Sequence, residues 1–273
     1  MNAGFTSAEA ITSQYVIGFL LAFILFIATQ RTLPKLTAKG WRTIALAGMF
    51  TGFTGIVYGH SLNYLPASLA VVMLFQFTWI GTLLDCIIKR RMLTRIEAIS
   101  LTILFAGTLL SAGIFDVDLS GIAWQGWVFG LLAALSFAIF IQINSQPVEG
   151  VTTISRMMIM SFVAFITTSL FLAPEIIWNG TLFNDGLWKF GIILGLFGII
   201  VPILLFGIAA PKVGGALTSI LSAMELPVAV CVSVIVLGET LTWLQVEGII
   251  LVLCGMVLPT YLTNKRHAKM MNT

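Results

Sequence analysis

Apolar residues in this chain come in blocks of about twenty, separated by short polar stretches in which most of the Lys and Arg residues sit. About twenty apolar residues at ~1.5 Å per residue cross the hydrocarbon core of a bilayer as a helix. Read this way, the pattern predicts spans near Tyr15–Gln30, Thr43–Leu62, Pro66–Ile88, Ile96–Phe115 and Ala123–Ile143. Further spans are predicted near Arg156–Trp178, Leu187–Ala209, Gly214–Leu237 and Trp243–Leu262, nine in all. The blocks are too long and too continuous for the alternating ten-residue strands of an outer-membrane barrel. The expected class is an all-α integral membrane protein.

Composition agrees. Of 273 residues, 59% are hydrophobic and 9% charged, and the mean hydropathy is +1.05, where soluble domains carry about 25% charged residues. No basic n-region precedes a short apolar core at the start, so no cleavable signal is expected. The net charge of +3 comes from cations that flank apolar blocks rather than from a basic domain, which gives no reason to expect a nucleic-acid partner. Cys86, Cys231 and Cys254 fall in apolar blocks without CxxC spacing and read as small packing residues; no metal and no cofactor is expected. His60 and His267 lie at a helix end and in the tail, and no phosphate loop, HExxH or GxSxG occurs.

With nine spans the termini lie on opposite sides. Thirteen of the 14 Lys and Arg then share a side with the C-terminus, Lys189 being the exception. The positive-inside rule therefore places the C-terminus in the cytoplasm and the N-terminus outside.

The chain also repeats itself. Leu93-Thr94 and Gly107 match Leu241-Thr242 and Gly255, while Tyr58-Gly59 and Leu69 match Phe206-Gly207 and Leu217, all at an offset of 148. Trp41 and Gly48 match Trp188 and Gly195 one residue out of step. Matching spans lie five apart, an odd number, so the two copies run in opposite directions, as in many secondary transporters. The expected units are residues 1–121 and 122–273. The span at Ala123–Ile143 has no mate, so the pattern is four plus five, with about 20 apolar residues expected to be encoded ahead of Met1.

The eighth span carries the candidate chemistry. Glu225 is its twelfth residue, near mid-depth, where a carboxylate costs roughly 2.5–3.5 kcal/mol and should face the bundle interior or a wet cavity. Thr218, Ser222, Glu225, Ala229 and Ser233 share its face. Pro227 removes a backbone donor two residues on, and Pro202 favours a bend in the seventh span, so both are candidate hinges. Gln76 lies one residue from the mate of Glu225, and Trp79 one turn further along the same face. Tyr58, His60, Asn63 and Tyr64 gather at one end of the second span, as an interfacial belt or as a gate. Gly48, Gly52, Gly55 and Gly59, and Gly191, Gly195 and Gly198, form ribs for close helix packing or for sliding. Asp85 and Lys89 have the spacing of an i,i+4 ion pair, and Glu239 that of a turn residue.

Several of these residues resemble a known family. Glu225-Leu226-Pro227, Leu237-Gly238-Glu239-Thr240-Leu241-Thr242, Gly248 and Gly255 are similar to the closing half of EamA-type carriers of the drug/metabolite transporter superfamily. Leu65-Pro66-Ala67-Ser68-Leu69-Ala70 with Gln76-Phe77-Thr78-Trp79-Ile80-Gly81 resembles the corresponding helix of the first half. The resemblance implies ten helices in two inverted five-helix repeats with both ends cytoplasmic, from which this chain departs by one helix.

The reading is a multi-pass cell-membrane carrier, an exporter, moving a small organic solute by alternating access. Glu225 would bind a proton or a substrate ammonium, with Gln76, Ser222, Trp79 and Tyr58 around it. Its partners are the bilayer, the small-molecule substrate and, as an open alternative, a second copy in a homodimer. Few charges line the bundle, so neutral, zwitterionic or monocationic solutes fit better than phosphates. The competing classes are a non-transporting scaffold or inactive truncated carrier, and an intramembrane enzyme, which would need a second reactive group beside Glu225. The topology is testable: a reporter fused after Thr273 should read cytoplasmic and a tag ahead of Met1 should be reachable from outside. A cytoplasmic N-terminus would refute the nine-span count.

Overall fold

The computed structural model describes residues 4–111, 121–232 and 242–271. All the regular secondary structure among them is helical. Five helical segments are long and apolar enough to cross a membrane: Ser7–Thr29, Leu69–Ile88, Trp124–Asn144, Thr153–Phe171 and Leu187–Val213. Gly215–Cys231 and Trp243–Pro259 are shorter apolar stretches. The count of nine rests on two more helices, α2 (Ala38–Ser61) and α5 (Arg95–Ser111). They do not reach that standard, because α2 alternates its apolar residues with Gly and Thr and α5 runs only 17 residues.

Helix α1 (Ser7–Thr29) begins eight residues before the apolar block predicts. A capping box explains this: the Thr6 hydroxyl accepts from the Glu9 N–H at 3.2 Å, and the Glu9 carboxylate accepts from the Thr6 N–H at 2.8 Å. Helix α7 (Thr153–Phe171) stops before the predicted Trp178, because Pro174 starts a short 3-10 turn, Pro174–Ile177, and forces Ala173 out of helical geometry. Helix α6 spans Trp124–Asn144.

Three membrane-depth segments are interrupted. The third predicted span is two helices, α3 (Ala67–Phe75) and α4 (Phe77–Ile88), hinged at Gln76. The seventh is α8 (Leu187–Gly195), a π turn at Leu196–Ile200, and α9 (Val201–Val213). Pro202 has no N–H to give to a carbonyl one turn back, and just before it the Val201 N–H reaches back five residues to the Leu196 carbonyl. The eighth is α10 (Gly215–Leu221), a 3-10 turn at Ser222–Met224, and α11 (Glu225–Val232). Pro227 weakens the helix from downstream at that break. Offsetting Gln76 by 148 lands on Met224, so these two breaks fall at matching positions. The last helix, α12, is Trp243–Met271.

Glycines decide which helices touch. Along α2 the rib splits between two neighbours. Gly48 and Gly52 lie against the backbone of α7 at Met160 and Ala164, while Gly55 and Gly59 accommodate Tyr15 and Ile11 of α1. On α8, Gly191 and Gly195 meet Ser13, Ile17 and Gly18 of α1. Helices α5 and α12 interlock reciprocally, Gly107 against Val252 and Gly255 against Leu104, residues that are again 148 apart. The Ser100 hydroxyl donates to the Gly255 carbonyl at the same crossing. Cys86 is buried, but Cys231 and Cys254 lie on exposed faces and do not serve as core packing.

At the basic end Asp85 is 1% exposed and holds two cations, Lys89 at 2.8 Å and Arg91 at 2.9 Å. The i,i+4 pair expected from sequence is present, and Arg91 extends it to Glu97 at 2.8 Å. Hydrogen bonds to Glu97, then to Asp85, push the Arg91 pKa further up, so the loop between α4 and α5 is tied by a permanently charged guanidinium.

A Cβ added at Gly48 would stand 2.5 Å from the Met160 carbonyl oxygen. Gly48→Val should therefore part α2 from α7 and destabilise the protein by about 1–3 kcal/mol, the cost of overpacking. A lowered melting temperature of the purified protein, against no change for the exposed Leu131→Ala, checks this.

Candidate functional site

A cavity of about 590 Å³ runs from the first turn of α1 down to Glu225, within the 300–1,000 Å³ range of small-molecule sites. Its walls come from α1, α2 and α8–α9, with Phe137 of α6 and Leu74 of α3 at its depth. Gly55 and Gly198 border it, and their missing side chains leave room for Tyr15 and Gln14. Beneath it is an aromatic floor. Phe137 contacts Phe77 edge-on at 4.8 Å and Phe206 at 6.0 Å, and Phe140 contacts Phe206 at 5.8 Å.

Most polar groups on the walls are already bonded. The Tyr15 hydroxyl donates to the Thr51 carbonyl at 2.7 Å, and Thr54 pairs with Ser136 at 2.9 Å. By contrast, the Gln14 amide, the Tyr58 hydroxyl and the Glu225 carboxylate line the cavity with no hydrogen-bond or ion-pair partner among the described residues. Glu225 opens α11, where the helix dipole favours an acid, and no Lys or Arg lines the cavity.

The residues singled out from sequence separate into two groups. Tyr58, Glu225 and Pro202 line the central cavity. Ser222 lies beside Glu225 on a neighbouring groove, and its hydroxyl is spent on the Thr218 carbonyl at 2.8 Å. Gln76 and Trp79 do not reach either space. Gln76 is 7% exposed, and its amide donates to the Val72 carbonyl at 2.9 Å and accepts from the Trp79 indole at 2.8 Å. The reason is local: the Gln76 N–H turns to the Met73 carbonyl at the break, and the side chain takes over the Val72 carbonyl so freed. Pro227 is buried behind the site. Tyr64 stacks on Phe129 of α6, His60 lies tilted against the same ring, and Asn63 accepts from the Ser7 hydroxyl at 3.1 Å. Ser233 and Glu239 lie outside the described residues.

Sequence reading missed Gln14, Tyr15, Thr51 and Thr54. A usable signal existed, because Gln14 and Tyr15 stand at the start of the first apolar block and Gly55 lies one turn from Thr51 and Tyr58. Nothing along the chain showed that α1 and α2 face each other.

A family model for the EamA-like transporter family matches residues 124–261. The chain belongs to this family. It is part of the drug/metabolite transporter superfamily, which makes the protein a multi-pass membrane protein of a transporter family. The match covers α6 to α12, so it includes Glu225, Pro202 and Pro227. No curated protein matches this chain. A solved crystal structure shares the fold with a TM-score of 0.76 at 13% identity, covering 96% of this chain and 90% of the other. At that identity the likeness speaks for the fold of an EamA-like chain and for nothing finer.

Proposed function

We propose that this EamA-like protein is a secondary carrier that exports a small organic solute across the cell membrane by alternating access. The observation that carries the reading is a cavity of drug-like size ending on an unpartnered carboxylate at a helix break. A scaffold would have no use for such a space. An intramembrane enzyme would need a second acid, His or Cys beside Glu225, and the described cavity lining brings none. The proposed units, residues 1–121 and 122–273, form an inverted repeat, with the basic side in the cytoplasm. On that orientation the cavity belongs to an outward-facing state.

The repeat supplies the mechanism. At the basic end α4 packs on α10, so closely that a Cβ at Gly81 would collide with the Ser219 hydroxyl. The Gln142 amide of α6 donates to the Gly81 carbonyl at 2.7 Å and seals the same crossing. Shifted by 148 residues, Gly81 and Ser219 become Ala229 and Val71, on α11 and α3, which make no comparable contact. Exchanging the roles of the halves therefore closes α3 on α11 and parts α4 from α10, turning the cavity inward.

Two experiments test the reading. Uptake by proteoliposomes across a metabolite panel, with and without a proton gradient, should reveal a transported solute. Glu225→Gln, which keeps size and most hydrogen bonding, should then depress transport sharply and abolish its pH dependence while expression stays normal. Tyr15 and Tyr58 are the other titratable groups on the cavity. An unchanged pH profile in the Gln variant would end the carboxyl-site reading. For the mechanism, Val71→Cys with Ala229→Cys, in a background without Cys86, Cys231 and Cys254, should cross-link under turnover and arrest transport. Cross-linking that never occurs during turnover would count against the exchange of halves.

A further inference from the structure

A second space meets the first at Glu225. It is a groove of about 280 Å³ between α9 and α10, and it shares Pro202, Phe206 and Glu225 with the central cavity. Its shape follows from the chain. Helices α9 and α10 are joined through Gly214 alone, whose φ of 82° and ψ of 165° turn the backbone sharply, and the groove between them ends on Glu225. The walls are apolar: Val201, Leu205, Ala209 and Val213 stand in one row on α9, with Leu221 opposite. The hydroxyls of Thr218 and Ser222 are turned onto carbonyls of their own helix at 2.7 and 2.8 Å. The groove therefore offers apolar surface along its length and one free polar group, the carboxylate, at its inner end.

The groove faces outward from the bundle. Leu205 and Val201 are exposed, and only 22% of the most apolar stretch of Leu187–Val213 is buried, against about half in the other four long spans. In a multi-pass protein such a face meets lipid. From Val201 to Val213 the α9 row is about 18 Å long at ~1.5 Å per residue, enough for an extended alkyl chain.

We infer that this groove is a lateral port through which an amphiphilic amine reaches the carrier site from the bilayer, its ammonium on Glu225 and its alkyl tail between α9 and α10. Charge and shape both select this occupant. An unpartnered carboxylate inside an apolar wall calls for a cation that brings its own apolar sheath, and an elongated groove of this size accepts one chain. Hydrophilic amines have no use for the groove and enter by the central cavity. The inference rests on the carrier reading of Glu225 and adds the class of solute and its route.

The test compares n-decylammonium with methylammonium, two ligands with one head group, binding to the full chain in nanodiscs. Ala209→Trp narrows the groove and should weaken decylammonium binding by about tenfold or more, the loss expected when a few methylenes forfeit apolar contact. It should leave methylammonium unchanged. Ile208→Trp, on an exposed neighbour outside the groove, should alter neither, and Glu225→Gln should weaken both. Equal decylammonium binding by Ala209→Trp and the parent overturns the port. If Glu225→Gln still weakens methylammonium in that case, the carrier site stands without it. A parent that binds neither amine overturns the inference together with the ammonium role of Glu225. As a check independent of bulky substitution, a fluorophore on Ala209→Cys should be quenched by brominated lipid. Absence of quenching would mean that a helix from a second copy or another protein covers the groove, and it would overturn the port.

Discussion

A backbone that leaves water must still make its hydrogen bonds, and in this protein that rule governs every departure from a straight helix. Three spans break at membrane depth, and each break frees backbone carbonyls. The chain answers with side chains from the same helix. At the first break Gln76 takes the Val72 carbonyl at 2.9 Å and Thr78 that of Phe75 at 3.1 Å, while Thr218 and Ser222 add hydroxyl bonds at 2.7 and 2.8 Å to the Gly214 and Thr218 carbonyls, which also hold backbone N–H groups. At the π turn no hydroxyl is available, and the backbone closes its own ring by reaching five residues back from Val201 to Leu196.

Close packing supplies the complementary constraint. In lipid there is little hydrophobic drive between helices, so association depends on how nearly backbones can approach. Glycines permit this where the bundle must be rigid: α2 on α7, α8 on α1, α5 on α12. Around the cavity the same residue type has a different result. Gly55 and Gly198 are filled by Tyr15 and Gln14, side chains that border the open space. One pattern thus builds both the walls and the room between them.

Much of this was legible along the chain. Apolar blocks of about twenty residues gave the helical class and most element positions, because the bilayer imposes a length that composition cannot hide. The mid-depth acid, the two prolines and Tyr58 were legible for a related reason, since a costly residue type at depth stands out. What failed was anything that depends on which way a side chain turns. Gln76 occupies the expected depth on the expected helix, yet the 3-10-like link from its own N–H to Met73 draws its amide onto Val72 and away from the cavity. Trp79 follows it through the indole bond. The start of α1 was missed because its cap is made of polar residues, which hydropathy reads as loop.

The contrast between the two matching breaks explains why the acid is where it is. Gln76 and Met224 are separated by 148 residues, and so are Phe77 and Glu225. In the first half the break carries a neutral amide that satisfies the backbone it disrupts, and the next residue, Phe77, is fully buried in the aromatic floor. In the second half Met224 has no polar side-chain atom to offer a carbonyl, the Ser222 hydroxyl bonds a Thr218 carbonyl that also takes the Ser222 N–H, and Pro227 has no N–H to give the carbonyl one turn back. Glu225, at the position matching Phe77, makes no side-chain hydrogen bond at the break. A carboxylate can stand there unbonded, at the start of α11 where the helix dipole tolerates it, facing the cavity on one side and the α9–α10 groove on the other. The same backbone break carries an amide bonded to its own helix in one half and stands beside an unbonded carboxylate in the other, so the first gives a sealed wall and the second an exposed acid.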